Sequence, residues 1–345
     1  MYTRGIEAQI LDVLARSGKS VWELLDSNQH LVAEFIEALN NLYRKGLIQT
    51  DGEKLYLTEE GRRKVSDEVI NLESGICREC GGRTIKFDGK FREVLKEFRR
   101  IADGRPKPTL KYFQGYMREY DVVARVALMH HYGDLAGNDF ILIGDDDLLS
   151  VALSLTGVVG RVLVLDIDER IGDFLGEVNR EYGFSIEFRR YNVADPLPED
   201  LIGAFDVFSS EPLETVTGLR AFVARGVSCL RKHGVGYFGL TTAEASRRKW
   251  ISIERLLTRM NCVITDIIRG FSRYPMRYET IDYETFVDRF DFPVKVNPGI
   301  DWYKSALFRF EVLGEPRLVI DPAKRLRITF FDPVEDATYP AESLM

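Results

Sequence analysis

Seven short apolar runs, the first five separated by helical segments, predict an α/β chain with a mostly parallel sheet. A glycine follows the first run at Gly144, an acid closes the second at Asp166, and a long loop joins the last two runs. These observations predict a Rossmann-like, seven-stranded sheet of the methyltransferase type, its last strand antiparallel, behind an N-terminal winged-helix domain.

Residues 1–72 read as three helices and a hairpin. Ile6, Ile10, Val13 and Leu14 recur at helical spacing ahead of Gly18. "SVWELLD" and "LVAEFIEALNNLYRKG" supply two more helices, the second stopped by Gly46. "LIQTDGEKLYLTEEG" gives two short strands around Asp51-Gly52, a favoured hairpin turn. Winged helices bind DNA, but they also serve as dimerisation or substrate-covering modules. The helix over 31–45 that would read DNA ends in Arg44 and Lys45 but carries Glu34 and Glu37. The chain holds 47 Lys and Arg against 54 Asp and Glu, a net charge of −7, so a nucleic-acid partner is not expected.

Residues 73–137 connect this module to the sheet. "ESGICRECGGRTI" contains one CxxC, Cys77 and Cys80, without the two further ligands that tetrahedral zinc takes. No metal is expected there; the alternatives are a tight turn with two reduced thiols or a half-site shared across a dimer. Pro106 and Pro108 mark a loop, and 117–131 reads as helix. Tyr112, Phe113 and Tyr116 either line an entrance or pack between domains.

Residues 138–315 form the sheet, with strands expected at 139–143, 161–165, 184–190, 205–209, 235–240, 263–271 and 306–313. Cys229 and Cys262 fall in apolar segments and are expected to be buried thiols. Residues 316–345 read as a polar, partly flexible tail with a short strand at 326–331. No apolar run reaches the roughly 18–20 residues that span a bilayer, and the first residues lack the apolar core of a signal peptide, so the expected location is the cytoplasm.

Open α/β sheets bind ligands at the carboxyl ends of their strands. Here those ends present Gly144 with Asp145, Asp146 and Asp147, then Asp166 and Asp168, Asp195, Glu211 and Glu214, and finally Thr241, Thr242 and Glu244. Asp166, about 20 residues past the glycine, is placed to accept ribose hydroxyls; capping of the next helix is the alternative, with Asp168 the better cap. Asp195 either meets an adenine amino group or is structural. Three carboxylates beside a glycine turn would repel phosphate, which disfavours NAD and ATP. S-adenosylmethionine lacks phosphate but would bring its own carboxylate to this loop. Its decarboxylated form ends in an ammonium beside a sulfonium, which carboxylates attract. Asp147 is alternatively the N-cap of a helix over 148–156.

"IGDDDLLSVALSL", "VLVLDIDERI" and "FDVFSSEPLETVTGLRAFVARG" resemble the archaeal and thermophile branched-chain polyamine synthases, the N(4)-bis(aminopropyl)spermidine synthases. The resemblance covers most of the chain. It implies transfer of an aminopropyl group from decarboxylated S-adenosylmethionine, a co-substrate, to spermidine, with no prosthetic group and a homodimer. It implies Asp147 as catalytic aspartate, with Asp145 and Asp146 as neighbours in the same site. Strand-end position and charge then put Gly144, Asp145, Asp166 and Asp195 on the donor, and Asp146, Glu211 and Glu214 on the acceptor. The family's strand-four motif, Asp-Pro-Pro-Glu, is here Glu211-Pro212-Leu213-Glu214, which bears on acceptor geometry. The rival readings are a methyltransferase acting on a nucleic-acid amine and a metabolite-sensing winged-helix regulator.

Overall fold

The computed structural model describes residues 3–65 and 75–338; the expected boundary at 72 and the last residues of the tail lie outside them. The chain opens with α1 (Thr3–Arg16), α2 (Val21–Ser27) and α3 (Val32–Arg44), then the hairpin β1 (Ile48–Thr50) and β2 (Leu55–Leu57). Ser20 and Glu23 cap α2 reciprocally, each side chain bonding the other residue's backbone N–H. The hairpin loop spans Asp51 to Lys54, and Asp51 Oδ1 accepts the N–H of Glu53 and Lys54, each at 2.8 Å. A short α4 (Glu59–Arg62) follows.

This module is packed onto the rest of the chain. Asn40 of α3 donates to the Arg289 carbonyl and accepts the Asp291 N–H, both at 2.9 Å. Trp22 Nε1 donates to the Lys295 carbonyl at 2.8 Å, and the Val32 N–H to the Ala243 carbonyl at 3.0 Å.

A helix absent from the sequence reading, α5 (Lys90–Ala102), precedes α6 (Glu119–Tyr132). Its buried Val94, Leu95, Phe98, Ile101 and Ala102 follow a helical period, so the signal was present despite the charges that dilute it.

The sheet comprises β3 (Phe140–Ile143), β4 (Val162–Asp166), β5 (Glu187–Arg190), β6 (Phe205–Ser210), β7 (Leu230–Thr241), β8 (Cys262–Tyr274) and β9 (Tyr303–Val312). Between them run α7 (Leu149–Leu155), α8 (Glu169–Tyr182), α9 (Val216–Cys229) and α10 (Arg247–Arg259). Strand order is β5-β4-β3-β6-β7-β9-β8: the first five are parallel, and β9 is antiparallel to both β7 and β8. The crossover from β5 to β6 holds a single 3-10 turn at Glu199–Leu201 where a helix was expected. The third strand starts at 187, not 184, because the Ile186 N–H and carbonyl bond the Asn179 side chain instead of a neighbouring strand.

Two apolar clusters sandwich the sheet, one including Phe140, Val164 and Leu142, the other Ile141, Leu163 and Phe208. That alternation is the pleat of a strand buried on both faces. Cys229 and Cys262 are buried. Among the described residues no helix is long and apolar enough to cross a membrane, and no group of three or more His, Cys, Asp or Glu is arranged for a metal ion.

No strand forms at 326–331. The Leu326 N–H bonds the Ala194 carbonyl, the Thr329 N–H bonds Thr217 Oγ1, and Thr215 Oγ1 donates to the Thr329 carbonyl at 2.6 Å. The buried Arg225 guanidinium donates to the carbonyls of Pro322 and Lys324, each at 2.6 Å. The described part of the tail, expected to be partly flexible, is thus tied along the strand ends.

Candidate active site

Strand β3 delivers Gly144 in a left-handed conformation, φ +80°, its N–H on the Leu165 carbonyl at 2.9 Å. Three aspartates follow, with three different roles. Asp145 accepts the N–H and the hydroxyl of Ser150. It therefore tethers the first turn of α7, the capping role the sequence offered to Asp147. Leu148, the residue before α7, is left-handed at φ +58° and offers no side-chain cap. Asp147 instead accepts the Met117 N–H through Oδ1 at 2.6 Å, pinning the segment ahead of α6. Asp166 accepts the N–H of Asp145 and of Asp168, both at 2.9 Å, and so stitches β3 to β4. Asp168 caps α8 and also binds Gln114 Nε2 at 2.9 Å.

Above these strand ends lies a cavity of about 460 Å³. Gly144, Asp146, Asp166, Glu211, Glu214 and Glu244 form its wall, as the strand order requires. Asp145 and Asp147 stand behind that wall, with their carboxylates committed as described. Asp195 is turned away, its Oδ1 3.4 Å from Arg325 Nε; Tyr191, Asn192 and Val193 line the cavity in its place. The reason is backbone anchoring: the Asp195 carbonyl accepts the Tyr191 hydroxyl and the Arg225 guanidinium, which leaves the side chain facing out.

The aromatic half of the wall comes from elsewhere. Tyr274 and Tyr303 leave the ends of β8 and β9, Tyr278 and Tyr283 the loop between, and Tyr112 and Phe113 the connecting segment. Trp302 is core, packed on Trp22 and Phe286. From the tail, Phe330 stacks parallel to Phe113 with centroids 6.4 Å apart, and Thr338 donates its N–H to Glu244 at 2.9 Å.

Residues 93–332 match the model of the branched-chain polyamine synthase A C-terminal domain. The chain belongs to the branched-chain polyamine synthase family. It is 39% identical over 317 residues to the N(4)-bis(aminopropyl)spermidine synthase of Thermococcus kodakarensis, covering 91% of this chain and 89% of that one. The enzyme of that name from Methanocaldococcus jannaschii is 34% identical over 322 residues, covering 92% and 90%. Among solved structures, the Thermus thermophilus branched-chain polyamine synthase in complex with N4-aminopropylspermidine and 5′-methylthioadenosine superposes with a TM-score of 0.83. It is 31% identical and is matched over 97% of this chain and 93% of that one.

In this chain the acids share one poorly solvated volume, so they suppress each other's ionisation. Burial, then the charges of Asp147, Asp166 and Asp145, hold the Asp146 carboxyl well above the usual range. Burial and the nearby Glu211 raise Asp147 to about 7, against the Met117 N–H, Arg125 and Arg105. Asp145 and Asp166 are raised too, mainly by burial. Burial lifts Glu214 to about 8 even though Thr241 donates both its N–H and its hydroxyl to it. Neighbouring carboxyls at this spacing titrate as a set, the proton shared among them.

Glu211 has a cationic partner. Its carboxylate accepts the buried Arg125 guanidinium and, at 2.5 Å, the Tyr274 hydroxyl. Arg125, Asn192, Tyr278, Tyr283 and Asp336 were missed by the sequence reading. The tyrosines carried a weak signal in "RYPMRYETIDYE"; Arg125 carried none, being one basic residue inside a helix.

Proposed function

We propose that the cavity transfers the aminopropyl group of decarboxylated S-adenosylmethionine to the central amine of spermidine, releasing 5′-methylthioadenosine. The observation that carries this is an acidic cavity, built on strand ends that offer no phosphate cradle, in a synthase-family chain. The Thermus thermophilus relative holds N4-aminopropylspermidine and 5′-methylthioadenosine. Carboxylates favour a donor that ends in ammonium and oppose one that ends in a carboxylate.

Donor binding is assigned to Gly144, where the missing Cβ allows close approach, and to Asp166 for the ribose hydroxyls. Asn192 is the polar group available to adenine in place of Asp195. In the reaction the amine nitrogen bonds to the propyl carbon while the C–S bond breaks, and the electron pair leaves on sulfur as a neutral thioether. The amine's proton needs an acceptor. We assign it to the Asp146–Asp147 pair: Asp146 faces the cavity with its carboxyl raised by burial, and Asp147 behind it is raised to about 7, in the range where a general base works best. Glu214 and Glu244 face the acceptor's ammonium groups, and tyrosine faces flank its methylenes. Holding nitrogen and carbon in line supplies much of the remaining acceleration.

The N-terminal helices and hairpin are read as a winged helix that props the site. Its α3, the helix that would read DNA, is engaged with residues 289–291, and its Val32 N–H holds the loop carrying Thr241 and Glu244. That arrangement argues against delivery of nucleic acid to a methyltransferase site and against the regulator.

Calorimetry with both sulfonium donors tests the reading. The decarboxylated donor is expected to bind more tightly, and its incubation with spermidine to release 5′-methylthioadenosine. Equal or reversed donor affinities would remove the electrostatic argument, and no thioether release would remove the reaction.

A further inference from the structure

Glu211 follows β6 on the cavity wall, where an acid would ordinarily be read as a partner for an ammonium group. Its carboxylate is already engaged. Arg125, 1% exposed on α6, donates to one oxygen, and the Tyr274 hydroxyl donates to the other at 2.5 Å. Arg125 also reaches Ser272 Oγ at 3.2 Å, while its Nε has no hydrogen-bond partner. A guanidinium sealed this far from water depends on its counter-charge, because removing one member leaves the other buried and unpaired.

The path of the Glu211 side chain is just as constrained. β6 and β7 are parallel neighbours with Ser210 opposite Phe238, so the residue after Ser210 lies beside Gly239. The Glu211 side chain crosses β7 there to reach α6 and β8. A methyl group built on Gly239 would overlap the Glu211 carboxyl carbon and both its oxygens. Gly239 has an ordinary backbone conformation, absent from the positive-φ glycines, so space is what position 239 supplies.

We infer that Arg125 and Gly239 are positioning residues that make Glu211 a charge-neutralised clamp for Tyr274 rather than a ligand for the acceptor's ammonium groups. The inference rests on the polyamine reading above. With its proton committed to Glu211, the Tyr274 hydroxyl presents only oxygen lone pairs to the cavity, where an ammonium can donate to them. The negative potential felt by the acceptor then comes from Asp146, Glu214 and Glu244. Acceptor preference is set by where Tyr274 is held, and that position depends on residues the acceptor does not touch.

A charge-balance cycle tests this. The parent, Glu211→Gln, Arg125→Met and the double variant are compared for spermidine binding with 5′-methylthioadenosine filling the donor half, and for melting temperature. Glu211→Gln uncovers the arginine's positive charge and is expected to weaken spermidine binding about 10-fold or more. The double variant restores the balance and should return to within about twofold of the parent. If the double variant binds as poorly as Glu211→Gln, Glu211 is itself an ammonium ligand and the inference is overturned. Gly239→Ala should mimic Glu211→Gln for spermidine while 5′-methylthioadenosine binding is unchanged; parent-like spermidine binding would overturn the spatial argument. Melting keeps the clamp testable apart from the function. Should the parent bind neither ligand, the polyamine reading fails, while the melting shifts still decide the clamp: strongly non-additive shifts support it and additive ones overturn it.

Discussion

At the β3–β4 end of the cavity three carboxylates accept main-chain N–H groups from the loops around them. Asp145 takes that of Ser150, Asp147 that of Met117, and Asp166 those of Asp145 and Asp168. At the β6–β7 end each carboxylate has a side-chain partner that can move or change. Glu211 has Arg125 and Tyr274, Glu214 has the Thr241 hydroxyl, and Glu244 has the hydroxyls of Thr338 and Tyr303. A backbone N–H cannot turn away, so the first set is fixed scaffolding for a ligand of one shape. Glu214 and Glu244 each hold a main-chain N–H on one oxygen, from Thr241 and Thr338. A hydroxyl on the other oxygen can rotate, so that oxygen can yield to an arriving ammonium. The chain thus places a rigid acid set where the donor is proposed to lie and an adaptable one toward the acceptor.

The hardest way to break this contrast is at Asp146, the triplet member on the cavity wall. Asp146→Asn is expected to melt like the parent, to bind donor nearly normally and to lose turnover on the order of 100-fold. Raising pH should partly restore the rate, since more of the amine is then unprotonated. Asp147→Asn, which keeps the Met117 contact, should lose less; pH–rate profiles of both variants decide it, and a parent-like Asp146→Asn would shift the base to Asp147.

Asp166→Ala comes next, with roughly 1.5–3 kcal/mol of donor affinity lost if the carboxylate bonds the ribose. Unchanged donor affinity by calorimetry would make it purely a stitch between β3 and β4.

Glu214 sharpens the comparison through pH. Its carboxyl is raised to about 8, first by burial, so the empty folded state holds a proton that the unfolded chain gives up near 4.5. This contribution to stability is complete at pH 4 and is lost as pH rises through 8. Ammonium binding favours the ionised form, so acceptor affinity should rise toward pH 8 and binding at pH 7 should release a proton. Calorimetry in buffers of different ionisation enthalpy should show that release, and Glu214→Gln should abolish it.

The smallest effect belongs to Asp195→Ala. Its ion pair with Arg325 is solvent-exposed and is worth about 0–1 kcal/mol. Donor affinity should not change; a clear loss would bring Asp195 back to the adenine.

The sheet was legible because its central strands β3 and β4 are near-continuous apolar runs and its turns are marked by Gly144, Gly183 and Gly203, each left-handed. The candidate site was legible as a set of positions, since a parallel sheet exposes its carboxyl ends on one edge. Which acids face the cavity was not. Asp145, Asp146 and Asp147 are consecutive in a loop, where no period of 2 or 3.6 assigns a face, and the bonds of Asp145 to Ser150 and of Asp147 to Met117 decided the outcome.

By itself the sequence determined the α/β class, the mostly parallel seven-stranded sheet and the acidic character of its strand ends. All three follow from local hydrophobic period and from residue type at strand ends. The tertiary structure decided that Asp195 faces out, that the tail from Asp321 to Thr338 lies along the site, and that Arg125 neutralises Glu211. These depend on contacts between residues 63 to 130 positions apart, such as Tyr274 with Glu211 through the gap at Gly239, Arg125 with Glu211, and Asp195 with Arg325. Local propensity reaches only about one helical turn along the chain, so it cannot see which distant side chain will arrive to hold a carboxylate in place.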